Sequence, residues 1–164
     1  MQTFIQMLDF YAQHHRKTFT KIAHFIGIPL IILGIQIFLA LFSFIHVSFA
    51  WIALIAVFIY YLFLDKILAL ITGASLFILT AIAIWISNHH TTLTSLILAI
   101  ILFALGWGIQ LIGHAVERKP PVFLKDGMQI FIGPLFLVTE ICFLLGHRQD
   151  LKNKLATFNN KSES

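Results

Sequence analysis

Four apolar windows, Ile22 to Phe44, Val47 to Leu64, Ile67 to Ser87 and Leu93 to Gly113, limit what this chain can fold into. Crossing the roughly 30 Å hydrocarbon core of a bilayer takes about 20 mostly apolar residues, and in lipid a lone segment satisfies its backbone only as a helix. The expected fold is therefore all-α, a polytopic membrane helical bundle with four transmembrane helices. A fifth apolar segment, Met128 to Leu145, contains Gly133-Pro134 and Glu140. Proline removes a backbone donor, so this segment is expected to break there and either re-enter or span. Composition excludes an ordinary soluble domain: 59% of the 164 residues are hydrophobic, only 11% are charged, and the mean hydropathy is +0.92. Residues 1–147 read as one membrane-embedded domain and 148–164 as a polar, basic tail.

Lys and Arg placement sets the orientation, because cytoplasmic loops carry the excess. Arg16, Lys17 and Lys21 precede the first window, Lys66 follows the second, and Arg118, Lys119 and Lys125 follow the fourth. The turns "IHVS" and "NHHTT" have neither residue type. Both ends of the four-helix unit are thus expected on the cytoplasmic side, in a bacterial inner membrane or, in a eukaryote, the endoplasmic reticulum. The basic tail (Arg148, Lys152, Lys154, Lys161) favours the same side and argues against a fifth full crossing. With no basic and aromatic groove pattern, the net charge of +4 points to anionic lipid rather than nucleic acid. Phe4, Leu8 and Tyr11 fall at i, i+4 and i+7, which predicts a short interfacial helix before the first span.

This topology sorts eight histidines into two groups about a membrane apart. His14, His15, His24, His114 and His147 lie near the cytoplasmic face; His46, His89 and His90 lie near the other. His24 near the start of one span and His114 near the end of another share a depth. A titratable side chain at that depth is costly unless paired, solvated or metal-bound. His15 and His24 are nine residues apart, so a continuous helix would put them on opposite faces. They converge only if the chain breaks between them, and "RKTFT", with Thr18 and Thr20 as possible helix caps, supplies a plausible break. Gln110, His114 and Glu117 share one face of the fourth helix. Glu117 could ligate a metal or fix the tautomer of a bound imidazole. His15, His24 and His114 with a carboxylate suit Fe(II) or Zn(II), and imidazole alone does not choose between them. Pro29 is expected to bend the first helix just after His24. His46, His89, His90 and His147 read as packed or interfacial residues, and Glu140, a carboxylate in an apolar segment, as a functional candidate unless paired with Arg118 or Lys119.

The segments Tyr11-x-x-x-His15, His24-x-Ile26-Gly27-x-Pro29-Leu30, Gly106-Trp107-x-x-Gln110-x-Ile112-Gly113-His114 with Glu117 and Pro121, and Pro134 with Glu140, in this order, resemble the small membrane proteins typified by the fungal 2-hydroxy fatty acid dioxygenase. The resemblance runs from about Tyr11 to Glu140. It implies an Fe(II)-dependent enzyme of fatty acid α-oxidation that takes a long-chain 2-hydroxy fatty acid and O2 and returns the acid one carbon shorter. It also implies His15, His24 and His114 as metal ligands and Glu117 and Glu140 as its acidic positions. Arg118 or Lys119 would then neutralise the substrate carboxylate, with Gln110 and Glu140 beside it. Two other classes fit the same residues: a haem protein with His24 and His114 as axial ligands, and a non-catalytic lipid-binding or scaffold protein.

Overall fold

The structure, a computed structural model, describes residues 4–15, 17–121, 124 and 126–162. Arg16 and Lys125, which entered the orientation argument, lie outside the described residues. The chain forms α1 (Phe4–Gln13), α2 (Thr18–Ala40), a two-stranded hairpin of β1 (Ser43–Phe44) and β2 (Val47–Ser48), then α3 (Phe49–Leu64), α4 (Lys66–His89), α5 (Thr92–Glu117), α6 (Gln129–Leu144) and α7 (Gln149–Ser162). It is all-helical apart from the hairpin, and α2, α4 and α5 are each long and apolar enough to cross a membrane. Their outer faces carry Leu70, Ile78, Ile100 and Leu105, all exposed, the surface that lipid covers. The second expected window is shorter than anticipated. Its first two residues pair as β2, leaving α3 with 16 residues, about 24 Å of helix.

The α2–α5 seam is built from small residues. A Cβ added at Gly27 would lie 2.8 Å from the Gly106 carbonyl oxygen, and one at Gly34 would lie 2.7 Å from that of Ala99. Without a hydrophobic drive between helices in lipid, such close backbone approach is what makes packing favourable. Gly113 meets Ala23 and Thr20 in the same way, so the seam extends to the end where His24 and His114 lie.

The fifth segment differs from expectation in where it breaks. Helix α6 runs without interruption through Gly133-Pro134, and the chain turns at Gly146 instead. There φ is +77°, the Gly146 N–H donates to the Phe143 carbonyl (3.2 Å), and the His147 N–H donates to that of Cys142 (2.8 Å). This paired closure of the last carbonyls needs a left-handed residue that glycine adopts at little cost. Pro134 is tolerated because it falls only six residues into α6, where just one carbonyl, that of Ile130, loses a donor. Beyond the turn α7 departs at 110° and packs on α1, with Leu151 buried. Residues 149–162 of the tail are thus helical. Helix α6 is buried from Leu135 to Thr139 without exception but exposes Ile130, Phe131, Ile141 and Leu144, and with α7 it forms a bent pair apolar enough to be a broken span or a re-entrant loop. Helix α2 likewise continues through Pro29.

Arg148 fastens this corner. Its guanidinium donates to both carboxylate oxygens of Asp65, 2.7 Å each. Asp65 also accepts the Ile67 and Leu68 N–H groups (3.1 and 3.0 Å) as the cap of α4. The Arg148 hydrogen bonds hold the Asp65 carboxyl below the usual carboxylate range.

Candidate metal centre

The predicted break between α1 and α2 is present and carries His15. Its Nδ1–H donates to the Tyr11 carbonyl (2.7 Å), and the His24 Nδ1–H donates to the Thr20 carbonyl (2.8 Å). A carbonyl only accepts, so both Nδ1 atoms carry the proton and both Nε2 atoms present lone pairs. Those two Nε2 atoms face each other at 3.0 Å. Two lone pairs at that distance in a buried site repel unless a cation lies between them. His114 reaches the same place from α5, its ring centroid 5.2 Å from that of His15 and 5.0 Å from that of His24. Its Nδ1 is buried without a hydrogen-bond partner among the described residues. One nitrogen from each ring falls within 4.8 Å of the others, a spacing that must close by about half an ångström for all three to reach one ion at the roughly 2.0–2.1 Å of metal–imidazole bonds. His15 and His24 are each 1% exposed. Burial, and secondarily the neighbouring His24, keep His15 neutral, with its pKa down at about 3, and the neutral ring is the ligand form.

Around these rings the described residues supply support rather than further ligands. Tyr11 stacks on His15 at 4.2 Å and 13°, and burial keeps its hydroxyl protonated. Glu117 lies outside the group of mutually close ligand atoms. One of its oxygens accepts the Lys17 N–H (3.0 Å) and the Thr20 hydroxyl (2.8 Å). The carboxylate of α5 thus caps the start of α2, where Lys17 has no side-chain cap and neither Thr18 nor Thr20 stands at the N-cap position. Thr20 is also the residue whose carbonyl orients His24, so Glu117 bears on the centre through one intermediary.

The other expected site residues separate. Gln110 lines the cavity beside His114. Lys119 donates to the Gln13 carbonyl at the end of α1 (2.7 Å), and Glu140 pairs with Lys21 at 2.5 Å rather than with Arg118 or Lys119. Arg118 is exposed, in the left-handed cap of α5. None of these last three lines the cavity.

That cavity, about 340 Å³, starts at the three imidazoles and follows one face of α2 through Ile28, Ile32, Ile35 and Leu39 against α3. From His24 to Leu39 is about 22 Å along the helix at about 1.5 Å per residue. Two wall residues escaped the sequence reading. Gln129 is 1% exposed and Gln36 7% exposed, and each has a buried amide oxygen without a partner among the described residues. A polar residue inside an apolar window was the available signal, but it did not say that a cavity lay in front.

Fold and site together define a membrane protein with a buried three-histidine cluster at the head of an elongated apolar cavity. A family model described as 2-hydroxy-palmitic acid dioxygenase Mpo1-like matches residues 1–145, and the chain belongs to that family. Neither a curated protein nor a solved structure matches it.

Proposed function

We propose that the protein is a non-haem Fe(II) dioxygenase of fatty acid α-oxidation. It converts a long-chain 2-hydroxy fatty acid and O2 to the acid one carbon shorter, with CO2 and water completing the balance. The observation that carries this is the pair of imidazole lone pairs held 3.0 Å apart by backbone carbonyls. His15, His24 and His114 would hold the ion. Bound iron(II) would supply the oxygen activation that no side chain here can provide. The remaining work falls to the chain. The Gln110 amide and the Tyr11 hydroxyl on the cavity wall bind and orient the polar head. Isoleucines of α2 receive the tail and keep water away. Exposed Ile35 opens that wall towards lipid, the route by which an amphiphile arrives.

In this reading α2, α3, α4 and α5 cross the membrane with the centre at the cytoplasmic face, and α6 lies inside the protein without crossing. The embedded unit is 1–147, with 148–164 as its appended tail. A haem plane between His24 and His114 would have to displace His15, whose centroid is 4.3 Å from that of His24, which disfavours the haem reading. Metal analysis of detergent-purified protein, followed by incubation with 2-hydroxypalmitate under O2 and mass spectrometry for the shortened acid, tests the proposal. Stoichiometric iron and product are expected, and both should vanish in His24→Ala. Iron-free protein that still shortens the acid would end it, as would a His24→Ala variant that does so.

A further inference from the structure

The connection between α2 and α3 breaks a local rule. Ile45 and His46 at the hairpin tip both have positive φ, +48° and +66°, the pattern of a two-residue turn that strongly favours Asn-Gly. A β-branched side chain in the left-handed region is strained against its own backbone. The chain nevertheless keeps Ile45 there, 76% exposed, so this side chain serves something other than the turn. Phe42, Phe44 and Val47 around it are exposed as well, and apolar side chains exposed as a group mark a surface that meets an apolar partner.

The packing of α3 on α4 fixes the depth of this group. The two helices are joined at Asp65 and run antiparallel. Phe58 of α3 packs on Gly73 of α4, its Cδ2 2.6 Å from where a Cβ on the glycine would sit. Nine residues back along α3 is Phe49, its first residue, and nine forward along α4 is Ile82, seven short of the last residue, His89. Helix α3 therefore begins about 10 Å below the end of α4. The three steps from Phe49 to His46 cover about 10 Å at full extension, so the tip reaches no higher than that end. Helix α4, with 24 residues and about 36 Å long, only just exceeds the roughly 30 Å hydrocarbon core. No Asp, Glu, Lys or Arg occurs from Ile22 to Leu64, and the Phe38 and Phe42 rings, 5.3 Å apart, continue the exposed face of α2 into the hairpin. Lipid cannot satisfy backbone groups, and here the strands pair Ser43 with Ser48 and Phe44 with Val47, while the Phe49 N–H donates to the Phe42 carbonyl (3.0 Å).

We propose that this hairpin is immersed in the leaflet opposite the metal centre, its apolar side chains covered by lipid acyl chains, as an anchor for the α2–α3 connection. The inference rests on the reading of α2, α3 and α4 as crossing helices and is independent of the dioxygenase reading. Leu39 and Ala53, on the two helices that the hairpin joins, line the far end of the cavity, so the anchor holds that end at the depth of the acyl chains.

The test uses full-length, metal-loaded protein in phosphatidylcholine nanodiscs, with Cys142→Ala throughout and a nitroxide on Ile45→Cys or, separately, on Phe44→Cys. Power saturation reads collisions with O2, which concentrates in lipid, and with a water-soluble nickel chelate. Ile78→Cys, halfway along α4, is the lipid reference and His90→Cys, beyond its end, the water reference; both positions are exposed. Both hairpin labels should give an oxygen-to-nickel ratio several-fold above that of His90→Cys and close to that of Ile78→Cys. A ratio at the level of His90→Cys overturns the proposal. Shielding from both reagents also overturns it, and spin–spin broadening would then identify a second copy of the chain as the cover. If the Ile78→Cys label meets the nickel chelate as freely as the His90→Cys label, the crossing of α4 fails and the anchor with it.

Discussion

Replacing Gly106 by alanine tests whether the α2–α5 seam positions the histidine cluster. The new Cβ would lie 2.7 Å from the Gly27 carbonyl oxygen, 2.7 Å from Ile31 Cγ1 and 2.9 Å from the Ile31 nitrogen. Non-bonded heavy atoms settle at about 3.5–4.0 Å. The Ile31 side chain can swing aside, but the two backbone atoms cannot, so the helices must separate by something near an ångström. His15 and His24 are carried by the chain entering α2 and by α2 itself, whereas His114 is carried by α5, so the separation pulls one ligand from the other two. Metal sites tolerate ligand shifts of only about 0.2 Å. Overpacking of this kind costs about 1–3 kcal/mol, about 2–12 °C in unfolding midpoint for a chain of this size. Gly108, two residues along the same helix, has nothing within 4 Å of where an added methyl group would sit. Gly108→Ala should leave the midpoint unchanged or raise it, alanine being the better helix former by about 1 kcal/mol. Thermal melts and iron content, measured side by side for the two variants, decide the matter. Gly106→Ala should melt lower and lose iron while Gly108→Ala does neither. If Gly106→Ala melts lower yet binds iron like the native protein, the coupling of seam to centre is wrong; if the two variants behave alike, so is the packing.

Further outcomes follow from the same contacts. Glu117→Gln should lower both the unfolding midpoint and iron affinity. In a double-mutant cycle with Thr20→Val the two effects should couple by about 0.5–3 kcal/mol, because both act through one hydrogen bond; simple additivity would separate Glu117 from the centre. The Asp65–Arg148 pair gives a pH dependence whose sign is fixed. Arg148 depresses the Asp65 carboxyl, so the stabilisation is present above the unfolded carboxylate value of about 3.9 and is lost as pH falls through the lower native value. The difference in midpoint between native protein and Asp65→Asn should therefore be constant near neutrality and shrink on acidification. Stripping the metal with a chelator should lower the midpoint, and Fe(II) should restore it in a concentration-dependent way; His114→Ala should abolish that response.

How much of this was legible in the sequence depends on the range over which each feature is determined. The break between His15 and His24 was legible because nine residues on a helix place them on opposite faces, and only a break with polar residues can undo that. The elongated apolar windows were legible because length and composition settle them. The partners of Glu117 were not. Three residues after His114 on one helix face, its carboxylate reads as a ligand, but the uncapped N–H of Lys17 on another element claims it, and that meeting is a tertiary fact. Glu140 likewise found Lys21 rather than the cations closer to it in sequence. The misplaced break in the fifth segment has a local cause: proline six residues into a helix costs one hydrogen bond, whereas Gly146 closes two carbonyls and starts a new direction. Gln36 and Gln129 showed as polar residues in apolar windows, but no spacing rule says whether such a residue meets a partner or an empty cavity.

The arrangement of supports around the three imidazoles explains why a small membrane protein can keep so awkward a cluster. Each helix end that meets the centre is tied by a group from another element. Lys119 holds the last carbonyl of α1, Glu117 accepts the Lys17 N–H and the Thr20 hydroxyl at the start of α2, and Tyr11 stacks beneath His15. The two imidazoles that face each other have their protons committed to carbonyls one turn back in the chain, so neither can rotate its lone pair away without leaving a buried donor unmade. Lone pairs held in this way repel one another unless a cation lies between them, so the cluster is expected to gain stability on binding one. Among the described residues no fourth ligand joins the three imidazoles, and Gln110 and Tyr11, both hydrogen-bonding side chains, line the cavity beside them.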